Sequence, residues 1–405
     1  MTDTATLNVP IAQGDEDKYK LKMGPQHPAT HGVLRVDVEL DGETIIDCSP
    51  HVGYLHRGFE KLAENRTYAQ DLVLTDRLDY MAAMANNVGY CEAVETLLDI
   101  NVSERAKFLR VMVCEMSRLT SHLLWLATHA LDIGAMTVFL YAFRERETLM
   151  EMFSELCGSR LTNTYTRLGG VRQDVTHEIM MKLDKFVDEF PACMEEYETL
   201  IDTNRIWLKR TIGIATVSPE LGLDLCLTGA SLRGSGVDYD IRKHMPYAAY
   251  DQMEFEVPLG ETGDTYARYR VRMEEMRQSN SILRQCIEKM PPGSIVGEDA
   301  PDLIMPTMPK RSVKADTSAR QNLIKLIDNR DVYMEGDVYV ATEVPKGELG
   351  FYFISDSKGK PYRMHIRSPS FIHIGALETL GKDVMVADLI AIIGTLDVVL
   401  GECDR

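Results

Sequence analysis

The sequence predicts a mainly α-helical fold of the α+β class, with a central bundle of long helices and small antiparallel sheets from both ends of the chain. Three observations carry this reading. Apolar residues recur at helical spacing from residue 77 to about 208. The segment 33-VLRVDVEL-40 alternates, placing Leu34, Val36, Val38 and Leu40 on one face. Strand-like runs return beyond Val338. The 405 residues suit two or three units, drawn here as an N-terminal segment with a small sheet (1–58), a helical core (59–335) and C-terminal hairpins with a terminal segment (336–405).

Taken in order, the strand 33–40 meets Asp41-Gly42, a hairpin turn that leads into a second strand over Thr44–Cys48. A helix opens at Arg77 and carries Met81, Met84, Ala85, Val88, Cys91 and Leu98 on its apolar face. Ser103 is placed as the N-cap of the next helix, and a third runs from Thr137 to Leu156, stopped by Gly158. Gly169-Gly170 interrupts the pattern. A fourth helix covers 176–208, with Pro191 as a kink or break. Further helix is expected over 265–289, and the prolines of 290–312 mark a connector. Strands follow at Val338–Val344, 349–355 and 362–368, the last two joined by a turn at Ser357–Lys360.

Composition excludes several functions. With 44 basic against 62 acidic residues the net charge is −18, which opposes binding to nucleic acid or to an anionic membrane surface. The eight cysteines include no C-x-x-C pair, and the start lacks a signal-peptide pattern, so a reduced, cytoplasmic setting is the expectation. Between Arg118 and Arg144 the only charged residue is Asp132. His122, His129 and Gly134 break that stretch, which therefore reads as two buried helices meeting near Asp132 rather than a membrane span.

Among the polar groups, 24-GPQHPATHGVLR-35 is the densest constellation. His27 and His31 stand four apart, but Pro25 and Pro28 argue against the helix that would let them share a metal. Two readings stay open: a rigid loop whose histidines bond backbone carbonyls, or a loop presenting an imidazole to a ligand. Asp79 and Tyr80 open the helix at 77, where a carboxylate offsets the helix dipole and the tyrosine serves as a core aromatic. Asp132 reads as a partly buried cap of the helix that follows it. The alternating charges of 143-FRERE-147 read as a solvated helix face. The glycines of 229-GASLRGSG-236 match no phosphate-loop pattern.

The segments 24-GPQHPATHGVLR-35, 51-HVGYLHRGFEK-61, 77-RLDY-80, 140-LYAFRERE-147, 167-RLGGV-171, 229-GASLRGSGVDYDIRK-243, 258-PLGETGD-264 and 390-IAIIGTLDVVLGECDR-405 together resemble the 49 kDa-type (D-type) subunit family of NADH:quinone oxidoreductase, respiratory complex I. That family is similar in turn to the large subunit of nickel–iron hydrogenases, which holds its metal with two C-x-x-C pairs. Asp79 and Ala82 stand in the place of the first pair, and Val399 and Glu402 in the place of the second. Without the four thiolates a soft nickel site cannot form, so no metal is expected and the cavity is vacated.

The resemblance implies that this cavity receives a quinone headgroup, with the loop in 1–58 and the terminal segment both reaching it. His31 and Tyr80 match the residues that bind the headgroup, Asp132 matches the partner of the histidine, and His27 and Val399 line the pocket. Quinone is then a substrate, and no cofactor belongs to this chain. FMN and the Fe–S clusters sit in partner subunits, among them a small subunit with the terminal [4Fe–4S] cluster. The implied setting is the cytoplasmic side of a bacterial inner membrane, on membrane-arm subunits, in a proton-translocating complex. Two other readings remain: the large subunit of a membrane-bound hydrogenase-related complex, or a non-catalytic scaffold. One departure stands out. Many relatives carry a histidine near the terminal cluster where this chain has Thr162.

Overall fold

The computed structural model describes residues 9–10, 18–298 and 334–405. The fold is mainly helical with small antiparallel sheets, as expected. Strands β1 (Val9–Pro10), β2 (Lys18–Met23), β3 (Arg35–Asp41) and β4 (Thr44–His51) form one antiparallel sheet in that order. The turn at Asp41-Gly42 falls as the alternation predicts, with Gly42 at a φ of 60°. The inner face of this sheet, Leu34, Val36, Val38 and Ile45, packs on the C-terminal helices through Ile374, Leu377, Leu389 and Ile392. Backbone bonds from Ile45 N–H to Val384 O and from Asp383 N–H to Ile45 O, each 2.8 Å, fasten the two chain ends together.

Short helices α1 (Phe59–Ala63) and α2 (Tyr68–Thr75) precede α3 (Ala83–Leu98). Helix α2 was not expected, although Thr67 and Gln70 form the capping box that marks its start. The helix expected at Arg77 begins only at Ala83. Asp79 accepts a 3.0 Å bond from Met81 N–H and holds 77–82 as a turn, the non-helical alternative that short acidic side chains offer the backbone.

Ser103 caps α4 (Glu104–Asp132), and Gly158, at a φ of 79°, ends α5 (Met136–Cys157), both as predicted. Asp132 is the last residue of α4 and does not cap α5, whose N-cap is Ala135 without a side-chain bond. Nor is the 143–147 run a solvated face throughout. Glu145 and Arg146 are buried, the former bonded to the Tyr197 hydroxyl.

After a minimal hairpin, β5 (Thr166–Arg167) with β6 (Gly170–Val171), helix α6 runs from His177 to Ile201 through Pro191. Proline lacks the N–H that would reach Val187 O four residues back. Asn280 Nδ2 donates to that carbonyl at 3.0 Å, so the helix continues. The break comes later, where Asn204 caps α7 (Arg205–Thr211). Short helices α8 (Pro219–Asp224), α9 (Ala230–Arg233) and α10 (Ile241–His244) lead to the long α11 (Thr265–Lys289), capped by Asp264. The glycine-rich run serves close approach: a Cβ on Gly229 would stand 2.6 Å from Gly347 Cα. Of the connector 290–312, the part beyond residue 298 lies outside the described residues.

Strands β7 (Glu335–Val344), β8 (Gly347–Asp356) and β9 (Pro361–Arg367) form a three-stranded sheet. It seats on α3, where the Tyr90 ring meets Phe351 and Phe353 edge-on at 5.7 and 5.5 Å. The tail then forms helices Pro369–Leu380, Val386–Leu396 and Leu400–Asp404, all missed by the strand-only reading of this region. Among the described residues no helix is long and apolar enough to cross a membrane.

Candidate functional site

The two chain ends meet around residues 397–402. On one side stands the loop 24–35. His27 begins a 3₁₀ turn over Pro28–Thr30, and its Nδ1 accepts from Ala29 N–H at 3.2 Å while the ring is exposed. His31 closes the turn in a left-handed conformation, with a φ of 52°, and its Nδ1 lies 2.9 Å from Val398 O. A carbonyl oxygen only accepts, so Nδ1 carries the hydrogen. The tautomer is thereby set: Nε2 of neutral His31 is an acceptor and can donate only from the imidazolium. The first reading of the loop, a histidine bonding a backbone carbonyl, holds at His31 Nδ1.

Asp132 is exposed at the end of α4. Nearby bulk raises its carboxyl pKa through desolvation, and the charges of His31 and His27 work the other way. The structure therefore places Asp132 within electrostatic reach of both histidines, at the end of α4 rather than as the cap of the helix that follows.

On the other side stands the turn 77–82. Asp79, Ala82 and Glu402 are fully buried and Val399 is buried too, and the Glu402 carboxyl lies within electrostatic reach of Asp79. The backbones there nearly touch: a Cβ on Gly401 would fall 2.7 Å from Leu78 O. Ser370 donates both its N–H (3.1 Å) and its hydroxyl (2.5 Å) to Glu402 Oε2. Burial and the neighbouring Asp79 charge push the Glu402 carboxyl up to about 7. Asp79 is also raised by burial, with Lys346 opposing and Asp397 adding to the shift. Lys346, at the β7–β8 turn, donates to Asp397 at 2.7 Å and to Ser121 at 3.0 Å. Burial works against its charge, and Asp397 and Asp79 outweigh that and hold it protonated.

Tyr80 is half-buried beside Asp79. Burial first, then the Asp79 charge, raises its phenol, while Lys346 and Arg57 pull it down. At neutral pH it is a hydrogen-bond donor. No bond joins Tyr80 to His31; what they share is the 397–402 segment, whose Val398 carbonyl holds His31 and whose Glu402 faces Asp79.

Behind this cluster a file of buried charges continues. Arg272 Nε lies 4.0 Å from Asp397 and shares α11 with Glu275, which meets His122 at 2.8 Å and Arg233 at 2.6 Å. Arg233 also pairs with Glu343 at 2.7 Å, and Arg242 joins Asp240 (2.7 Å) to Glu115 (3.1 Å), beside Arg118 (3.4 Å). Lys346, Asp397 and Ser370 carry no spacing that marks them, and the members of the file sit on α4, α9, α10, α11 and β7, so their pairing depends on how distant elements pack.

Among the described residues no group of three or more His, Cys, Asp or Glu side chains is arranged to hold a metal ion. The side chains in the places of the two C-x-x-C pairs, the carboxylates Asp79 and Glu402 with Ala82 and Val399, do not fit a soft nickel ion.

Residues 132–405 match the family model described as "Respiratory-chain NADH dehydrogenase, 49 Kd subunit". The chain is 54% identical to an NADH-quinone oxidoreductase D-type subunit of Thermodesulfovibrio yellowstonii, the second of that name, over 98% of its length and 99% of that protein's. It is 53% identical to the corresponding D-type subunit of Trichlorobacter lovleyi over 95% of this chain and 98% of that one. With its counterpart in Methylobacillus flagellatus the identity is 46%, over 96% and 99%. The chain belongs to the 49 kDa subunit family of the respiratory-chain NADH dehydrogenase.

Proposed function

We propose that this chain builds the quinone-reduction pocket of a proton-translocating NADH:quinone oxidoreductase. It does so with a small partner subunit that bears the terminal [4Fe–4S] cluster, on the cytoplasmic side of a bacterial inner membrane. FMN and the other clusters belong to further peripheral-arm partners, and membrane-arm subunits make the membrane contact. The observation that carries the reading is one C-terminal segment reaching both groups of residues: Val398 O orients His31, and Glu402 lies within electrostatic reach of Asp79, the neighbour of Tyr80.

Reducing a quinone to a quinol takes two electrons and two protons, so donors are needed at both carbonyl oxygens. Tyr80 supplies a phenolic O–H. His31 supplies a proton from Nε2 only as the imidazolium, and the nearby Asp132 carboxylate favours that form. The names of the relatives and the replacement of all four thiolates on the shelf support the quinone role over a hydrogenase-type role.

Elemental analysis of the purified chain tests that choice. The expected result is no stoichiometric nickel, iron or zinc, and one tightly bound nickel per chain would overturn the quinone reading. A second expectation concerns Thr162, whose side chain has no titrating group near neutrality. The midpoint potential of the terminal cluster is expected to vary only weakly with pH. A slope near ~60 mV per pH unit, the one-proton, one-electron limit, would show that another group couples the proton.

A further inference from the structure

The buried charges behind the pocket do not balance. Asp79, Glu402, Asp397, Glu275, Glu343, Asp240 and Glu115 supply seven carboxyl groups, all buried. The cations among them are five: Lys346, Arg272, Arg233, Arg242 and Arg118, equally buried; Arg268, one turn before Arg272, is offset by its own buried neighbour Asp264. His122 does not add a sixth, because burial and the nearby arginines keep it neutral despite Glu275. An uncompensated pair of negative charges in such a place is strongly disfavoured, and a carboxyl group there takes up a proton instead.

Geometry locates the excess. Glu275, Glu343, Asp240, Glu115 and Asp397 each lie within 4.0 Å of a cationic nitrogen, whereas Asp79 and Glu402 have no such ion pair among the described residues. Asp79 Oδ2 and Glu402 Oε1 are moreover buried without a hydrogen-bond partner there. The neighbouring donors are committed elsewhere: Met81 N–H to Asp79 Oδ1, and both Ser370 donors to Glu402 Oε2. A proton on either carboxyl supplies the donor that the two bare oxygens lack. The other charged and titratable groups facing the pair are Lys346 from the β7–β8 turn, Asp397 and Cys403 from the C-terminal segment, and Arg57 and Tyr80. The Lys346 ammonium acts on Asp79, Glu402 and Tyr80 alike.

We propose that Asp79 and Glu402 hold a transferable proton between them and return it to Tyr80 once Tyr80 has protonated a bound quinone. The proposal rests on the quinone reading. In the first step the Tyr80 O–H bond breaks and its proton forms the new O–H of the reduced quinone, whose electrons come from the complex. In the second, the phenolate takes the carboxyl proton and leaves a carboxylate facing Lys346. Solvent protons then refill the pair. Asp79 and Glu402 never touch the quinone; they are positioning residues that keep Tyr80 in its donor form.

Two measurements on the assembled complex test this. Infrared spectroscopy is expected to show a protonated-carboxyl C=O absorption that shifts in D₂O and titrates near neutrality. Asp79→Asn and Glu402→Gln should each remove or displace it. With a short-chain ubiquinone or menaquinone analogue, both variants should lower quinone reduction at least ~10-fold, a modest share of what a positioned acid contributes, and lose the alkaline limb of the wild-type pH profile. Complex content is normalised by NADH oxidation with a soluble artificial acceptor. No titrating carboxyl in the wild type overturns the proposal, whether or not the variants assemble. So do variants with wild-type rate and pH profile. If Tyr80→Phe is impaired while both carboxyl variants are normal, the proposal fails and the quinone reading stands. If Tyr80→Phe is also normal, the quinone reading itself fails.

Discussion

Tyr80→Phe is expected to lower quinone reduction by one to two powers of ten while leaving NADH oxidation with a soluble artificial acceptor intact. The ring is kept, so the packing of the half-buried side chain survives, and only the hydroxyl is lost. A carbonyl oxygen deprived of such a donor costs about 1–3 kcal/mol, equivalent to roughly 5- to 150-fold in rate or affinity. His31→Ala should be at least as severe, since it removes a contact and a proton source together. It also frees the Val398 carbonyl that the imidazole holds at 2.9 Å.

Asp132→Asn preserves shape and removes the charge that favours the imidazolium. Its sign follows from charge: a carboxylate nearby favours the imidazolium, so its loss disfavours that form. Quinone reduction should then fall in Asp132→Asn, though less than in His31→Ala. Assembled complexes of all three variants, assayed with both acceptors, check the set. Wild-type quinone rates in Tyr80→Phe and His31→Ala would place the pocket elsewhere and favour a scaffold role.

The largest effect on stability is expected at Arg233, outside the pocket. Its guanidinium is fully buried and faces Glu275, Glu343 and Asp240 at 2.6, 2.7 and 3.8 Å. Arg233→Met fills similar space but takes the arginine away from Glu275 and Asp240, which keep His122 and Arg242, and leaves Glu343 without an ion pair among the described residues. Breaking a single buried ion pair by removing one partner costs about 3–5 kcal/mol, against a typical domain stability of about 5–15 kcal/mol. The variant should accumulate poorly and fail to enter the complex, a loss seen as missing protein rather than as a changed KM. Immunoblotting of membranes after native electrophoresis reads this directly. Normal assembly of Arg233→Met would show that the carboxyls neutralise themselves by taking up protons.

What was legible in the sequence was local. Ser103 and Gly158 bound their helices, and Asp41-Gly42 its hairpin, because caps and turns are decided by a few neighbouring residues. The errors came where distant groups decide. Pro191 failed to break α6 because Asn280, far along the chain, satisfies the carbonyl that proline abandons. The helix Val386–Leu396 is only eleven residues long and mostly apolar, and a short apolar run is easily taken for a buried strand. Its neighbour Pro369–Leu380 did carry a signal, a serine cap followed by proline at the first helical position.

The site divides in the same way. Spacing singled out the 24–35 loop and the isolated Asp132, but left the histidines with two roles and misplaced Asp79 on a helix. The pairing of Asp79 with Glu402, 323 positions apart in the numbering, reached the sequence reading only through family resemblance. Lys346 and Ser370 had no such guide.

Photo-crosslinking tests whether this chain forms the wall against which quinone is reduced. A photoreactive quinone analogue would be bound to the intact complex, irradiated and mapped by peptide mass spectrometry. Labelling of this chain within 24–35 or 77–82, suppressed by excess unmodified quinone, is the expected result. Labelling confined to other subunits, with both segments unmodified, would contradict it.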